Sequence, residues 1–236
     1  MLSSTLFGLV VGSTLASAAS VPKALSSNDV LYVRDGQPEV FEKNRLSGVI
    51  DSIGHRPANL SMPEPHFVNG TGSALEARNG AATILLPFDQ TEFLDWDMPM
   101  TGVVQGPKTI TLTYGRTIQN ALTVSDSTTF TLIKNWLSTT LGFSATKTWS
   151  TTQTESDPFT IDEGKWGVVV INPRTIRNSG YVFQGDVGSE GKLSYYQADG
   201  RVSASYAGFS WVEGPVYVCQ SKDYPIPYCE GNGLHY

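Results

Sequence analysis

From Leu122 to Leu132 a hydroxyl residue stands at every odd position: Thr123, Ser125, Ser127, Thr129 and Thr131. From Phe143 to Glu155 one stands at every even position: Ser144, Thr146, Thr148, Ser150, Thr152 and Thr154. Strict two-residue alternation places such residues on one face of a β-strand. The two arms, joined through IKNWLSTTLG, therefore predict one long amphipathic hairpin with a hydroxyl face. Setting Leu132 opposite Leu141 also sets Phe130 opposite Phe143, Asp126 opposite Lys147 and Val124 opposite Trp149. Each is a compatible cross-strand pair. Ile133, Trp136, Leu137 and Leu141 fall at helical spacing, so a turn or a single helical turn is expected between the arms, closed by Gly142.

Elsewhere the pattern is also that of strands. Val30–Val33 is an apolar run closed by Asp35-Gly36, and Ala81–Phe88 is a second. Lys108–Tyr114 alternates Ile110, Leu112 and Tyr114 with three threonines. Trp166–Ile171 is continuously apolar, as a strand buried on both faces requires, and Asn172-Pro173 ends it. Gly180–Gly185 reads as a short strand. Asp199-Gly200 between Leu193–Ala198 and Arg201–Tyr206 predicts a hairpin turn. Trp211–Cys219 is the last strand, with Gly214-Pro215 marking an edge or a bulge. Turn signals at roughly ten-residue intervals and few helical windows give an all-β fold, an antiparallel sandwich or elongated sheet carrying the long Ser/Thr-rich hairpin.

The ends change the picture. Residues 1–18 read as a secretory signal: Leu6–Leu15 is a short apolar run followed by Ala16-Ser17-Ala18, although the first cation is Lys23. Residues 19–79, rich in Pro, Ser, Asn and Gly, read as a poorly structured region: a pro-segment, an arm packed on the main domain, or a flexible lead. The β domain is placed at 80–219 and a tail at 220–236. The two cysteines, Cys219 and Cys229, are expected to form a disulfide tying that tail to the last strand. Asn59-Leu60-Ser61 and Asn69-Gly70-Thr71 are candidate glycosylation acceptors at Asn59 and Asn69.

The formal charge is -6 with 16% charged residues and no Lys/Arg cluster, which argues against nucleic acid or anionic lipid as a partner. No GxSxG, HExxH, P-loop or CxxC signature is present. His55, His66 and His235 are too scattered for metal-ligand spacing, so neither a metal nor another cofactor is expected. Asp89, Glu92, Asp95 and Asp97, interleaved with Phe93, Leu94 and Trp96, present two readings. One is a sugar-binding or glycosidase-like patch. The favoured one is a solvated acidic loop with aromatic anchors. The hairpin arms also have the length of membrane-inserting strands, as in aerolysin-like toxins. Asp126 and Lys147 on the apolar face oppose that use, since a charge at mid-bilayer costs roughly 2–4 kcal/mol. A soluble extended hairpin is the preferred expectation.

From Phe159 onward the motifs Glu163-Gly164-Lys165-Trp166-Gly167-Val168-Val169-Val170, Asn172-Pro173, Ser179-Gly180-Tyr181, Tyr196-Gln197-Ala198-Asp199 and Trp211-Val212-Glu213-Gly214 resemble small secreted fungal proteins described as Celp0028 effector-like. The resemblance covers roughly Leu122 to Cys219 and carries no catalytic residue. It implies a secreted fungal protein acting outside the cell on a plant or other host. The first expectation is accordingly a non-enzymatic, extracellular, effector-like monomer that acts in virulence by binding a host or cell-wall target. A pore-forming subunit and a carbohydrate-binding or carbohydrate-active sandwich are the alternatives.

Overall fold

The structure, a computed structural model, describes residues 24–34, 37–57, 63–69, 81–111, 117–150, 158–186, 190–206 and 209–236. The chain is all-β in class, with every pair of named strands antiparallel and short helices on the sheet faces. One sheet runs Gln37–Glu42, Asp29–Arg34, Pro215–Ser221, Trp166–Ile171, with the short strands Met98–Pro99 and Val104–Gln105 beyond. The second six-stranded sheet runs Ala121–Val124, Glu190–Arg201, Arg174–Asp186, Ala81–Pro87, extended by His66–Asn69 and Thr91–Leu94, and four two-stranded ladders complete the described strands. Asn172-Pro173 carries the chain from Trp166–Ile171 in one sheet to Arg174–Asp186 in the other.

Burial follows the alternation of the first sheet's centre. Val169, Ile171 and Val218 pack on one face with Phe159, Ile161, Ile118, Trp149 and Trp211. Val168, Val170, Tyr217 and Cys219 pack on the other with Leu94, Ile226 and the helix α1 (Leu46–Ile53). A strand covered on both faces has no polar side to offer, which is why Trp166–Ile171 is apolar throughout. In the second sheet Val182, Tyr196 and Ala198 face Ile133 and Leu137 of a second helix, α2 (Phe130–Leu141).

That helix replaces the predicted hairpin. Asp126 accepts the Thr128 backbone N–H at 3.0 Å and opens a 3-10 turn, Ser127–Thr129, that runs into α2. Gly142, at φ 64°, takes the left-handed conformation that closes it. Ile133 and Leu137, one turn apart, are wholly buried against the sheet. The arms do not pair with each other. Leu122 and Thr123 lie opposite Ala198 and Gln197, and Thr148–Ser150 pairs with Thr117–Gln119. The second arm beyond Ser150 lies outside the described residues.

Two further expectations are corrected. Asp199-Gly200 is not a turn: Glu190–Arg201 runs straight through it, paired with Arg174–Asp186 from Gly185↔Gly191 to Thr175↔Arg201. The segment 19–79 is not unstructured where it is described. It supplies a two-strand edge of the first sheet and α1, the packed-arm alternative. The segment 1–18, expected to be a signal, and Asn59 lie outside the described residues, and of Asn69 only the strand position, opposite Glu190, is described. Cys219 and Cys229 form the expected disulfide, with Cα atoms 5.7 Å apart. The tail beyond Ser221 is ordered by it and by a two-residue ladder, Ile226–Pro227 with Leu234–His235.

Candidate functional site

The acidic and aromatic stretch 89–97 divides in two. Asp89 and Glu92 are exposed, while Phe93, Leu94, Asp95 and Asp97 are buried. The backbone explains the division. The Leu94 N–H donates to the Gly54 carbonyl at 3.0 Å, the Asp95 N–H to Pro173 at 2.9 Å, and the Asp97 N–H to Glu230 at 3.0 Å. Residues 94–97 are thereby tied to the end of α1, to the junction between the sheets and to the C-terminal tail.

Each buried carboxylate is saturated. Asp95 receives Arg56 Nη1 at 2.5 Å and Arg201 Nη1 at 2.6 Å, one on each oxygen, and the Trp96 N–H at 2.9 Å. Asp97 accepts the Tyr217 hydroxyl at 2.8 Å, Asn172 Nδ2 at 2.9 Å, and the backbone N–H groups of Cys229 and Glu230 at 2.7 and 3.2 Å. His235 Nε2 stands 3.4 Å from Oδ2, the oxygen that also accepts the Cys229 N–H. Burial, then the Asp97 charge, pushes the Tyr217 phenol far above its ordinary range, so Tyr217 is a permanent donor here.

The pairing continues outward. Arg177 holds Asp199 through both oxygens, at 2.7 and 2.8 Å, and covers the Phe93 ring at 4.8 Å. Burial works against the charge of Arg177, but the Asp199 hydrogen bond together with the charges of Asp199 and Asp95 outweighs it and its pKa is raised. Arg174 bridges Glu92 and Glu213, and Tyr32 donates to Glu213 at 3.0 Å. A buried carboxylate with two or more donors is a joint in the fold rather than a poised acid or base.

Beside these joints lies a cleft of about 170 Å³ lined by Ile50, His55, Arg56, Leu94, Asp95, Trp96, Asn172, Glu230 and Gly231. Arg56 covers the Trp96 ring at 4.4 Å, and Gly231, at φ 108°, lies so close to the pyrrole ring of Trp96 that a Cβ there would sit 2.4 Å from Cγ. Trp96 is thus engaged by protein atoms and does not present the bare face on which a sugar ring stacks. His55 is turned to Asp51 at 2.7 Å. Burial, then the neighbouring Asp97 charge, raises the Glu230 carboxyl above its ordinary value.

Among the described residues one trio has metal-ligand spacing: Asp97, Cys219 and Cys229, with ligand atoms within 4.8 Å of one another. A metal takes thiolates, and both sulfurs are bonded to each other. Among the described residues no helix is long and apolar enough to cross a membrane. Of the residues that build this region, sequence reasoning singled out Asp95, Asp97, Trp96 and the cysteines. It missed Arg56, Arg201, Tyr217 and Glu230, and it read Asn172 only as a strand stop. Comparison of the chain with protein-family models, curated proteins and solved structures finds no match.

Proposed function

We propose that this is a secreted, effector-like β protein of fungal type that acts outside the cell by binding a host or cell-wall target, without catalysing a reaction. The observation that carries the reading is the saturation of Asp95 and Asp97. The carboxylates most suggestive of sugar chemistry are consumed in ion pairs and hydrogen bonds that join the segment after α1, both six-stranded sheets and the tail. The disulfide and the ordered tail support an extracellular setting, where such staples persist. The pore-forming alternative needs a long Leu122–Glu155 hairpin, and the 3-10 turn and α2 occupy residues 127–141, the end of its first arm and its loop. Two assays test the proposal. The purified protein is expected to leave dye-loaded liposomes intact and to release no sugar from glucan or chitin, while deletion of its gene weakens infection. Leakage, sugar release, or an unchanged infection on deletion contradicts it.

A further inference from the structure

The second sheet packs Val182, Tyr196 and Ala198 against α2, and strand alternation puts their neighbours on the opposite face. On that face Tyr181 stands between Leu86 and Tyr195, and Gln197 stands between Ser179 and Thr123. Just past the Ala81–Pro87 strand, the Phe88 N–H donates to the Ser179 carbonyl at 2.8 Å. Phe88, Tyr181 and Tyr195 thereby form a row across the strands. Their ring centroids are 5.5 and 5.6 Å apart, with interplanar angles of 81° and 70°. Edge-to-face contacts of this kind fix each ring by its neighbour. The row is nonetheless open to solvent: Phe88 is 53% exposed and Leu86 45%, and the two tyrosines are half-buried. An aromatic row that is both held in place and exposed is preorganised for a ligand.

Charge narrows the ligand. Beside the rings lie the hydroxyls of Ser179 and Thr123 and the amide of Gln197. The charged residues at strand positions of this face are already matched, Arg177 with Asp199 and Arg201 with Asp95. The face is therefore neutral, on a chain of formal charge -6. An anionic polymer or lipid headgroup meets no cation here to balance it, and charge complementarity selects a neutral partner. A flat aromatic row edged by hydroxyl and amide groups suits a polymer with C–H groups on its broad faces and hydroxyls along its edges. An extended β-linked glucan has that form. The row is also longer than one sugar ring. Trp96, covered by Arg56 and Gly231, offers no such surface.

We propose that the Phe88–Tyr181–Tyr195 face binds a neutral β-linked glucan chain of the cell wall, of the cellulose type. Its sugar rings lie on the aromatic row, and its hydroxyls bond to Ser179, Gln197 and Thr123. The inference rests on the binding reading above and names the target for it; the glucan is held and not cleaved.

Calorimetric titration of the purified full chain with cellohexaose, with maltohexaose and with polygalacturonate tests it. Saturable binding of cellohexaose is expected. Maltohexaose, whose α-linked chain coils, and the anionic polygalacturonate are expected to bind at least about tenfold more weakly. Phe88→Ala is expected to weaken cellohexaose binding at least about tenfold and Phe88→Trp to keep it. Thr123→Lys, a bulky charge at an exposed position beside the row, is expected to weaken it as well. Tyr224→Ala removes an aromatic ring of similar exposure elsewhere and is expected to change nothing. Far-ultraviolet spectra and unfolding midpoints verify that the variants fold. Absence of cellohexaose binding, equal binding of polygalacturonate or maltohexaose, or unchanged affinity in Phe88→Ala and Thr123→Lys overturns the inference. A dimer in sedimentation that Phe88→Ala converts to monomers also overturns it, and assigns the face to a second copy of the chain. Failure of the ligand assignment is distinct from failure of the binding reading. Without glucan binding, weakened infection on gene deletion still upholds that reading, and glucan binding with unchanged infection keeps the site and removes the reading.

Discussion

Asp126 is held by Lys192, whose Nζ lies 2.5 Å from Oδ2, and not by Lys147. Lys147 donates instead to Ser203 Oγ at 3.0 Å. This pair replaces the cross-strand partner that alternation predicts, and it fastens the start of the 3-10 turn and α2 to the Glu190–Arg201 strand. Asp126→Ala is expected to lower stability by about 1 kcal/mol, as loss of a helix-capping acceptor does. In double-mutant cycles Asp126 couples to Lys192 and not to Lys147. The Lys192 hydrogen bond, followed by that of Thr128, holds the Asp126 carboxyl below its ordinary 3.8. A depressed carboxylate contributes stability above its unfolded value and loses it as the pH falls through the folded one. The gap between wild type and Asp126→Ala in urea midpoint is therefore expected at pH 7 and narrows below pH 3.8.

The helix itself is open to test. Leu137 is wholly buried against the second sheet, so Leu137→Ala is expected to cost about 2–5 kcal/mol. Thr139, on the exposed side, should tolerate Ala with little change. A hairpin turn at these positions would show no such contrast. Chemical denaturation of the two variants reads it directly.

The first sheet was legible because its residues carry their environment with them. Val168 to Ile171 are apolar on both faces, and that pattern admits a central strand. The Leu122–Glu155 stretch was not, because two periods coexist in it. The hydroxyls repeat every second residue, while Ile133, Trp136 and Leu137 repeat as a helix does. Burial of Ile133 and Leu137 decides between them, and the sheet that buries them comes from residues 174–201. Asp199-Gly200 has turn chemistry, but Arg177 claims the Asp199 carboxylate from the neighbouring strand and Gly200 lies under the Phe143 ring. The site was hidden for the same reason. Asp95 meets Arg56 and Arg201, and Asp97 meets Asn172, Tyr217 and the tail, so no local spacing announces either joint.

Glu230 gives a pH signature of opposite sign. Burial, then Asp97, raises its folded pKa above the ordinary 4.5. A raised carboxyl contributes stability fully below its unfolded value and loses it as the pH rises through the folded one. Glu230→Gln is therefore expected to unfold at a higher temperature than wild type at pH 7 and at the same temperature near pH 4. Thermal scans at the two pH values check it, and a lower midpoint at pH 7 would contradict the assignment.

The disulfide holds a short loop, a sequence separation of 10. Replacing both cysteines by Ala is expected to cost about 2–3 kcal/mol on the chain-entropy estimate. Because Asp97 still holds the Cys229 and Glu230 N–H groups, the tail should remain docked at room temperature. Hydrogen exchange of those two amides in the double variant checks this: slow exchange is expected, and exchange at the rate of a free peptide would assign the docking to the disulfide alone.

The Leu94–Asp97 segment is a structural joint, with Asp97 binding the first sheet to the C-terminal tail. The thermal unfolding midpoint of Asp97→Asn, beside that of the exposed Asp89→Asn, tests this most directly. Loss of a buried, multiply bonded carboxylate is expected to cost about 3–5 kcal/mol, a drop of about 10 °C for a chain of this size. Asp89→Asn should match wild type. An Asp97→Asn protein that unfolds at the wild-type temperature would contradict the account.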